Sequence, residues 1–258
     1  MRDYREFAPS PQFAATIECF WTGQSTGRPH RVTPDGCADI LFTGGDLRLI
    51  GPMTAWRDFL HEPGQQLFGV RFRPGMWSAI AGTPADRLTD RAPAMDDLWG
   101  ARAVRLGGQL AEARSAAQAI RAVETALPPA AESGPLERAL AWMERRHGAV
   151  SMDEMAARAG LSPRQLRRVC LERTGLPPKF LARVLRFRHV HDRLAASRGR
   201  NPGPMPTTLA DLALDCGYYD QAHFINEFRE FSGRTPAASA DGRFFQSPAG
   251  ALEVTSAA

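Results

Sequence analysis

Hydrophobic and polar residues alternate over several short stretches of the first hundred residues, and a period of two is typical of half-buried β-strands. Residues 37–42 follow the turn signal Pro34-Asp35-Gly36 and are predicted to form a strand. Residues 46–50 and 67–73 show the same alternation, and an apolar run over 14–21 adds another strand. The pattern therefore predicts a β-rich amino-terminal region.

The period changes after residue 75. A short helix is predicted over 77–81, and residues 102–127 carry apolar side chains at steps of four and three. These positions are Leu106, Leu110, Ala113, Ala117, Ile120 and Leu127. The spacing fits one long helix, which either forms a dimer seam or lies on its own domain. The pattern ends in a segment rich in proline, 128–135, which we interpret as a linker.

Helical periodicity then continues to about residue 240, and it begins with two helices joined by a tight turn. Ser151 and Glu154 form a predicted capping box at the start of the first helix. Gly160 ends that helix at a position suited to a positive φ. Ser162 and Pro163 then supply an N-cap and a first helical residue. This order of signals predicts a helix-turn-helix unit.

The second helix of this unit has one apolar stripe and one basic face. The stripe is Leu166, Val169 and Cys170. The opposite face carries Arg164, Gln165, Arg167 and Arg168, which are the candidate DNA contacts of this helix. Arginine reads guanine through two parallel hydrogen bonds and also pairs with phosphate.

The pattern repeats 57 residues later, from Leu209 to Gly217. Asp220 is the predicted N-cap of the next helix. The candidate DNA contacts on that helix are Gln221, Ala222, His223, Asn226 and Arg229. A long helical pattern over 179–196 lies between the copies and would hold them at a fixed separation.

Charge supports the same interpretation. The chain has a net charge of +4, but residues 158–200 hold 12 basic and two acidic residues, a net of +10. So dense a positive segment favours a polyanion such as nucleic acid. The alternative is a solvated helix face, although few acids lie nearby in sequence to pair with the arginines.

Residues 136–240 resemble the DNA-binding domain of the AraC/XylS family of bacterial transcription regulators. The resemblance is carried by Ala156…Gly160-Leu161-Ser162…Leu166, by Gly217-Tyr218…Asp220-Gln221-Ala222-His223-Phe224…Phe228, and by Gly233-Arg-Thr235-Pro236. It implies two recognition helices in adjacent major grooves. Ser162 and Asp220 mark the starts of these helices, where backbone N–H groups are natural phosphate sites. The chain departs from many members in two ways: an acid, Glu227, where they carry Arg or Lys, and a longer Pro/Gly loop, Ser197–Thr208.

The amino-terminal region resembles, less specifically, a cupin-like β-rich sensor domain found ahead of some family members. Segments 34–42 and 68–75 carry this likeness. It implies a small ligand, for which the candidate contacts are Trp21, Asp39, Arg71 and Arg73. Asp39 is expected to point inward and to pair with Arg71 or Arg73.

Two other classes of function compete with a regulator. The first is an enzyme in the amino-terminal region, either a metal-dependent cupin or an alkyl-transfer sensor that uses Cys37. No paired carboxylates, metal-ligand spacing or phosphate loop supports it, so no catalytic residue, metal or cofactor is assigned. The second is a protein-interaction module whose helix-turn-helix units no longer bind DNA.

The expected fold class is therefore α+β with two domains. The predicted boundaries are 1–100 for a sensor or dimerisation domain, 101–127 for a connecting helix, 128–135 for the linker, 136–240 for the DNA-binding domain and 241–258 for a flexible tail. The expected partners are double-stranded DNA, a small-molecule effector, RNA polymerase and a second copy of the chain. With no apolar stretch long enough for a membrane span and no secretory signal, a cytoplasmic regulator is expected.

Overall fold

The computed structural model describes residues 1–128, 134–196 and 208–239. It shows a β-rich amino-terminal part followed by an all-helical carboxy-terminal part, which confirms the α+β fold class. The predicted tail over 241–258, most of the predicted linker and the Pro/Gly loop over 197–207 lie outside the described residues. No helix in the described ranges is both long and apolar enough to cross a membrane.

Seven strands form two antiparallel sheets. They are β1 (Arg2–Phe7), β2 (Ile17–Gln24), β3 (His30–Val32), β4 (Ala38–Thr43), β5 (Asp46–Ile50), β6 (Arg57–Phe59) and β7 (Gln66–Phe72). The larger sheet has the order β1-β2-β7-β4-β5, and β3 pairs with β6 in a short ribbon. The four strands predicted from alternation are all present, with bounds shifted by up to three residues.

The register of the large sheet places the predicted polar residues. Asp39 on β4 lies opposite Arg71 on β7, and Trp21 on β2 lies opposite Gly69 on β7. The indole of Trp21 covers Gly69 so closely that a Cβ there would lie 2.0 Å from the ring. Gly69 therefore lets Trp21 lie flat on the sheet.

Within residues 1–128, four helices cover the face of the large sheet opposite to the one that carries Trp21, Asp39 and Arg71. They are α1 (Trp77–Ala81), α2 (Met95–Trp99), α3 (Ala101–Glu112) and α4 (Ala116–Ala126). One buried cluster joins Phe20, Val70 and Phe72 of the sheet to Leu106 of α3 and Val123 of α4. The core of the amino-terminal part thus extends to residue 127.

The single helix predicted over 101–127 is wrong. The chain leaves the helical conformation at Ala113, and Ser115 caps a new helix by accepting a hydrogen bond from the backbone N–H of Gln118. With this break, Leu106 of α3 and Val123 of α4 both enter the core formed with the sheet. Leu106, Leu110 and Leu127 are buried within the chain, so they do not form an exposed dimer seam.

The carboxy-terminal part contains seven helices in its described ranges. They are α5 (Pro135–Arg145), α6 (Met152–Ala159), α7 (Pro163–Thr174), α8 (Pro178–Ala196), α9 (Leu209–Asp215), α10 (Gln221–Ser232) and α11 (Pro236–Ser239). The long helix α8 contributes to two separate cores. Leu181 and Leu185 pack with α5, α6 and α7, whereas Val184, Phe187 and Val190 pack with α9 and α10.

Candidate nucleic-acid interface

The first helix-turn-helix unit consists of α6 and α7. Gly160 ends α6 in the left-handed conformation, with a φ of 65°. Ser162 and Gln165 form a reciprocal capping box at the start of α7, and Pro163 is its first residue. The Ser151 hydroxyl caps α6, but the side chain of Glu154 turns away to pair with Arg158 at 3.3 Å. The second hydrogen bond of the predicted capping box, from the backbone N–H of Ser151 to the Glu154 side chain, is therefore absent.

The capping box of α7 leads to a stability prediction. Replacing Ser162 with alanine is expected to destabilise the protein by about 1 kcal/mol, because the backbone N–H of Gln165 loses its side-chain acceptor and the Gln165 side chain loses the hydroxyl that holds it in the capping box. Ser115→Ala is the matched control, since Ser115 caps α4 through a single side-chain bond. Urea unfolding should show the larger loss for Ser162→Ala. Equal losses would show that the reciprocal bond from Gln165 contributes nothing.

The outward face of α7 is free for contact. Arg164, Gln165, Arg167 and Arg168 are exposed, while Leu166 and Cys170 are buried. Arg168 lies 3.5 Å from Glu172 in a solvent-exposed pair. Within the described parts of the chain, Arg164 and Arg167 make no hydrogen bond or ion pair. The two guanidinium groups therefore keep all their donors available.

The second unit, α9 and α10, repeats this construction. Thr208 and Asp211 form a capping box on α9, and Gly217 has a φ of 78° in the turn. The carboxylate of Asp220 accepts a hydrogen bond of 2.7 Å from the backbone N–H of His223 at the start of α10. Asp220 is thus the N-cap, as predicted from the sequence.

The outward face of α10 has a different character. Its exposed residues are Gln221, Ala222, His223, Asn226 and Arg229. The ring of His223 packs edge-on against Tyr218 at 5.4 Å between centroids, so the imidazole is held beside the start of the helix. This face carries amides, one imidazole and one guanidinium, whereas the face of α7 carries three guanidinium groups.

Glu227 has a structural role that the sequence did not indicate. Its side chain is 1% exposed, and its carboxylate accepts hydrogen bonds from Arg183 at 2.7 Å and from Arg186 at 3.3 Å. The acid therefore fixes α10 on α8 and points away from the outward face. The departure from the family pattern at this position removes no exposed basic side chain from α10.

The arginines of α8 are paired with acidic side chains of the same chain. Arg183 binds Glu227 and Glu230, Arg186 binds Glu227, and Arg193 lies 3.5 Å from Asp215. The expectation that the basic segment 158–200 lacks acidic partners is wrong for this helix. Most of these partners come from distant parts of the sequence. Within the described residues 158–196, the exposed basic side chains without an acidic partner are Arg164 and Arg167 of α7 and Lys179.

The amino-terminal part contacts the carboxy-terminal ends of both outward-facing helices. Gly175 ends α7, and its carbonyl oxygen accepts a hydrogen bond of 2.8 Å from the Thr89 hydroxyl. The carbonyl oxygen of Ser232, at the end of α10, accepts a 3.3 Å bond from Arg31. These contacts leave the outward side chains of both helices exposed.

A third contact lies in the middle of α8. Arg188 binds both carboxylate oxygens of Glu18 on β2, one of them at 3.1 Å. The Cys37 thiol donates to Glu18 at 3.3 Å. Arg188 holds the pKa of Glu18 at about 2 in spite of the burial that would raise it. We call Glu18, Cys37 and Arg188 the interdomain clasp.

Three of the four predicted ligand contacts lie together. Trp21, Asp39 and Arg71 line a cavity of about 80 Å³ between the large sheet and the β3–β6 ribbon. Arg71 lies 3.6 Å from Asp39, as expected, and 3.4 Å from Asp35. Arg73 is not at the cavity: it follows the last residue of β7 and pairs with Glu144 of α5 at 2.9 Å.

The chemistry of Cys37 bears on the enzyme alternative. Its side chain is buried, and burial raises the pKa of the thiol well above the ordinary value. A protonated, buried thiol is a poor nucleophile, so the position does not favour alkyl transfer. In the described ranges, no group of three or more His, Cys, Asp or Glu side chains is placed to hold a metal ion.

Tyr219 is a candidate contact that the sequence did not single out. It is 87% exposed in the turn before Asp220, whereas the neighbouring Tyr218 is buried. The sequence contains a signal for this contact. Two aromatic residues precede Asp220, the N-cap of α10, and one of them enters the core while the other is exposed.

Comparisons with known proteins agree with this architecture. Residues 155–240 match a family described as a helix-turn-helix domain, and residues 5–93 match a domain of unknown function. No curated protein matches the chain.

Several solved structures are similar to the chain. An AraC-type transcriptional regulator from Chromobacterium violaceum is 24% identical, with a TM-score of 0.36, over 42% of this chain and 91% of that one. The DNA-binding domain of AdpA, solved with target DNA, is 26% identical, with the same coverage and TM-score. ToxT from Vibrio cholerae is 10% identical, with a TM-score of 0.44, over 86% of this chain and 96% of that one.

The fold and the two exposed helices define a tandem helix-turn-helix protein with a β-rich amino-terminal part. The family match over 155–240 confirms the helix-turn-helix class predicted for the carboxy-terminal part.

Proposed function

We propose that this chain is a sequence-specific DNA-binding transcription regulator that places α7 and α10 in adjacent major grooves. The observation that carries the proposal is the pair of exposed recognition faces on two units that share α8. This helix has 19 residues and a length of about 28 Å. The proposed base and phosphate contacts are the exposed residues of α7 and α10 given above, with Ser162 and Asp220 at the helix N-termini near phosphates.

The two helices differ in their proposed share of the binding energy. Arg164 and Arg167 of α7 supply most of the affinity, because their guanidinium groups are exposed and unpaired in the described structure. The amide and imidazole groups of α10 contribute discrimination between bases, because Gln and Asn side chains hydrogen-bond the adenine edge. RNA polymerase is the second macromolecular partner proposed for such a regulator.

The cavity in the amino-terminal part is the proposed effector site. The turn that carries Asp35 lines it, and the same turn leads to Cys37 of the interdomain clasp. A ligand that changes this turn would alter how the amino-terminal part holds α8, and thereby the arrangement of the two recognition helices. Ligand and DNA affinity would then be linked reciprocally.

DNA binding is tested by fluorescence anisotropy with duplexes from either side of the gene that encodes the chain. The association constant is expected to fall steeply between about 50 and about 300 mM KCl, with a log–log slope near −4 for about five phosphate contacts. Footprinting should protect two segments one helical turn apart, about 10 base pairs. An affinity independent of salt, or no binding at low salt, would reject the proposal in favour of an interaction module.

A further inference from the structure

The cavity proposed as the effector site has mostly apolar walls. They include Leu41 and Leu67 of the large sheet, with Ile50 and Met53 at one side. A 150 Å³ cavity holds benzene, so about 80 Å³ accommodates a group of about three to five non-hydrogen atoms. The occupant is therefore a very small molecule or the end group of a longer one.

The charged side chains of this cavity do not balance. The Arg71 guanidinium is the sole basic side chain among the lining residues that is charged at neutral pH, and it faces two carboxylates, Asp35 and Asp39. The side chain of Arg71 is 10% exposed. In the described structure its Nε–H has no hydrogen-bond partner, although it lies 3.4 Å from Asp35. One cation for two buried acids leaves an excess negative charge.

The two histidines that line the cavity do not correct this imbalance. Burial raises the pKa of Asp39 to about 6, and Arg71 only partly opposes the effect. Burial also lowers the pKa of His30 to about 4 and the pKa of His61 below its usual value, so both imidazoles are neutral at pH 7. Met1 lies half-buried at the rim, and burial lowers the pKa of its α-amino group.

Two aromatic rings complete the polar end of the cavity. Tyr4 and Trp21 stack with centroids 6.0 Å apart, and the Trp21 indole N–H donates to Asp39 at 2.8 Å. Gly69 covers one face of Trp21 and Tyr4 stacks on the other, so this ring adds an apolar wall and one N–H donor. The unbalanced carboxylates and the apolar walls together select a positively charged group on a short hydrocarbon.

We propose that the cavity binds a small organic cation, a primary ammonium group on a short alkyl chain, with the ammonium at Asp35 and Asp39 and the alkyl chain between Leu41 and Leu67. The inference rests on the proposed role of this cavity as the effector site. The ammonium supplies the missing counter-charge, and it keeps Asp39 ionised by displacing its proton to solvent.

Three probes of equal length test the class of ligand on the full chain. Propylammonium, 1-propanol and propionate differ only in the end group. Propylammonium at tens of millimolar is expected to raise the midpoint of thermal unfolding and to change tryptophan emission saturably, with a millimolar dissociation constant. Equal effects of all three probes, a stronger effect of propionate, or no effect of any would overturn the proposal. Propionate binding alone would assign the site to anions through Arg71.

One variant and its control test whether propylammonium binds at Asp39. Asp39→Asn is expected to weaken propylammonium binding at least tenfold, whereas Asp46→Asn, at the exposed start of β5, should leave it unchanged. If Asp39→Asn does not fold, the wild-type pH dependence replaces it. The groups that face or influence Asp39 are Arg71 of β7, Asp35 of the turn, Trp21 and Glu18 of β2, and the ribbon histidines. Affinity should fall about tenfold from pH 7.5 to pH 5 as Asp39 becomes protonated.

DNA binding is measured on the same samples, so the two proposals fail separately. Intact, salt-sensitive DNA binding without a response to propylammonium would reject the cation and retain the regulator. A saturable response to propylammonium that leaves DNA affinity unchanged would retain the cation site and reject its role as the effector site.

Discussion

Replacing both Arg164 and Arg167 with alanine is expected to weaken DNA binding about a hundredfold, and each single change about tenfold. Both side chains are exposed on α7 and are free of protein partners in the described structure, so their removal leaves no buried group unpaired. The loss is then confined to DNA contacts, each of which is worth about 1–3 kcal/mol. The free energy of unfolding should change by less than about 0.5 kcal/mol.

The salt dependence of each single variant distinguishes base contacts from phosphate contacts. If Arg164 or Arg167 binds a phosphate, its replacement reduces the log–log salt slope by about one and weakens binding to all sequences alike. If the same side chain binds a guanine, its replacement relaxes the preference at one base pair. Arg121→Ala is the matched control, because Arg121 is exposed on α4 and its removal changes the net charge equally. A similar loss of affinity in Arg121→Ala would show that overall charge, and not the face of α7, governs binding.

The helix-turn-helix units could be predicted from the sequence because the signals that define them are local. Ser162, Gly160 and Asp220 act within one helical turn of their own positions, through caps and a left-handed residue. Cap chemistry depends on a few consecutive residues, so it survives in a single sequence without tertiary information. The outward positions of the arginines on α7 follow from the helical period alone.

The roles of Glu227 and the α8 arginines could not be predicted, because they depend on contacts between distant residues. Counting charges over 158–200 left Arg183 without an acid and gave Arg188 only Asp192, whereas their main partners lie on α10 and on β2. The break between α3 and α4 has the same origin. A spacing of four and three is preserved on both sides of Ala113, and the packing of both helices on one core involves residues far away in the sequence.

The alternation of strand residues predicts the position of Asp39 correctly and that of Arg73 incorrectly. Alternation along β7 places Arg71 on the same face as Asp39 and Trp21, which the structure confirms. Arg73 comes two residues after Arg71 and would lie on the same face if the strand continued. However, β7 ends at Phe72, so Arg73 is outside the sheet. Its guanidinium then reaches Glu144 of α5. The rule that alternate residues share one face holds only within the strand. The sequence pattern predicts the end of a strand less well than its middle.

Replacing Arg188 with methionine is expected to destabilise the protein by about 3 kcal/mol, because Glu18 would remain buried without its counter-charge. The side chains of Glu18 and Arg188 are 17% and 14% exposed, so solvent screens the pair only weakly. Methionine keeps much of the apolar stem that packs beneath the guanidinium. The double variant Glu18→Gln/Arg188→Met should recover much of the loss, since neither charge is then buried. Arg193→Met is the control, because its pair with Asp215 at the surface contributes about 0–1 kcal/mol.

The pH dependence of the clasp follows from the pKa of Glu18. Arg188 lowers that pKa to about 2 from an ordinary value of 4.5. The contribution of the clasp to stability is therefore complete above the unfolded pKa, near 4.5, and it is lost as the pH falls through about 2. The wild type should keep most of this contribution at pH 4. In Arg188→Met the buried carboxyl titrates above its ordinary value, so that variant should gain stability relative to the wild type as the pH falls from 7 to 4.

DNA binding by Arg188→Met separates a structural role of the clasp from a regulatory one. The amino-terminal part holds the ends of α7 and α10 and the middle of α8, so releasing the clasp should loosen the arrangement of the two units. Affinity for a duplex with both half-sites should fall about tenfold, while affinity for a single half-site of α7 stays unchanged, because each unit keeps its own core. Equal losses on both duplexes would mean that the variant damages the α7 unit itself. Unchanged affinity on both would mean that the two units hold their spacing through α8 alone.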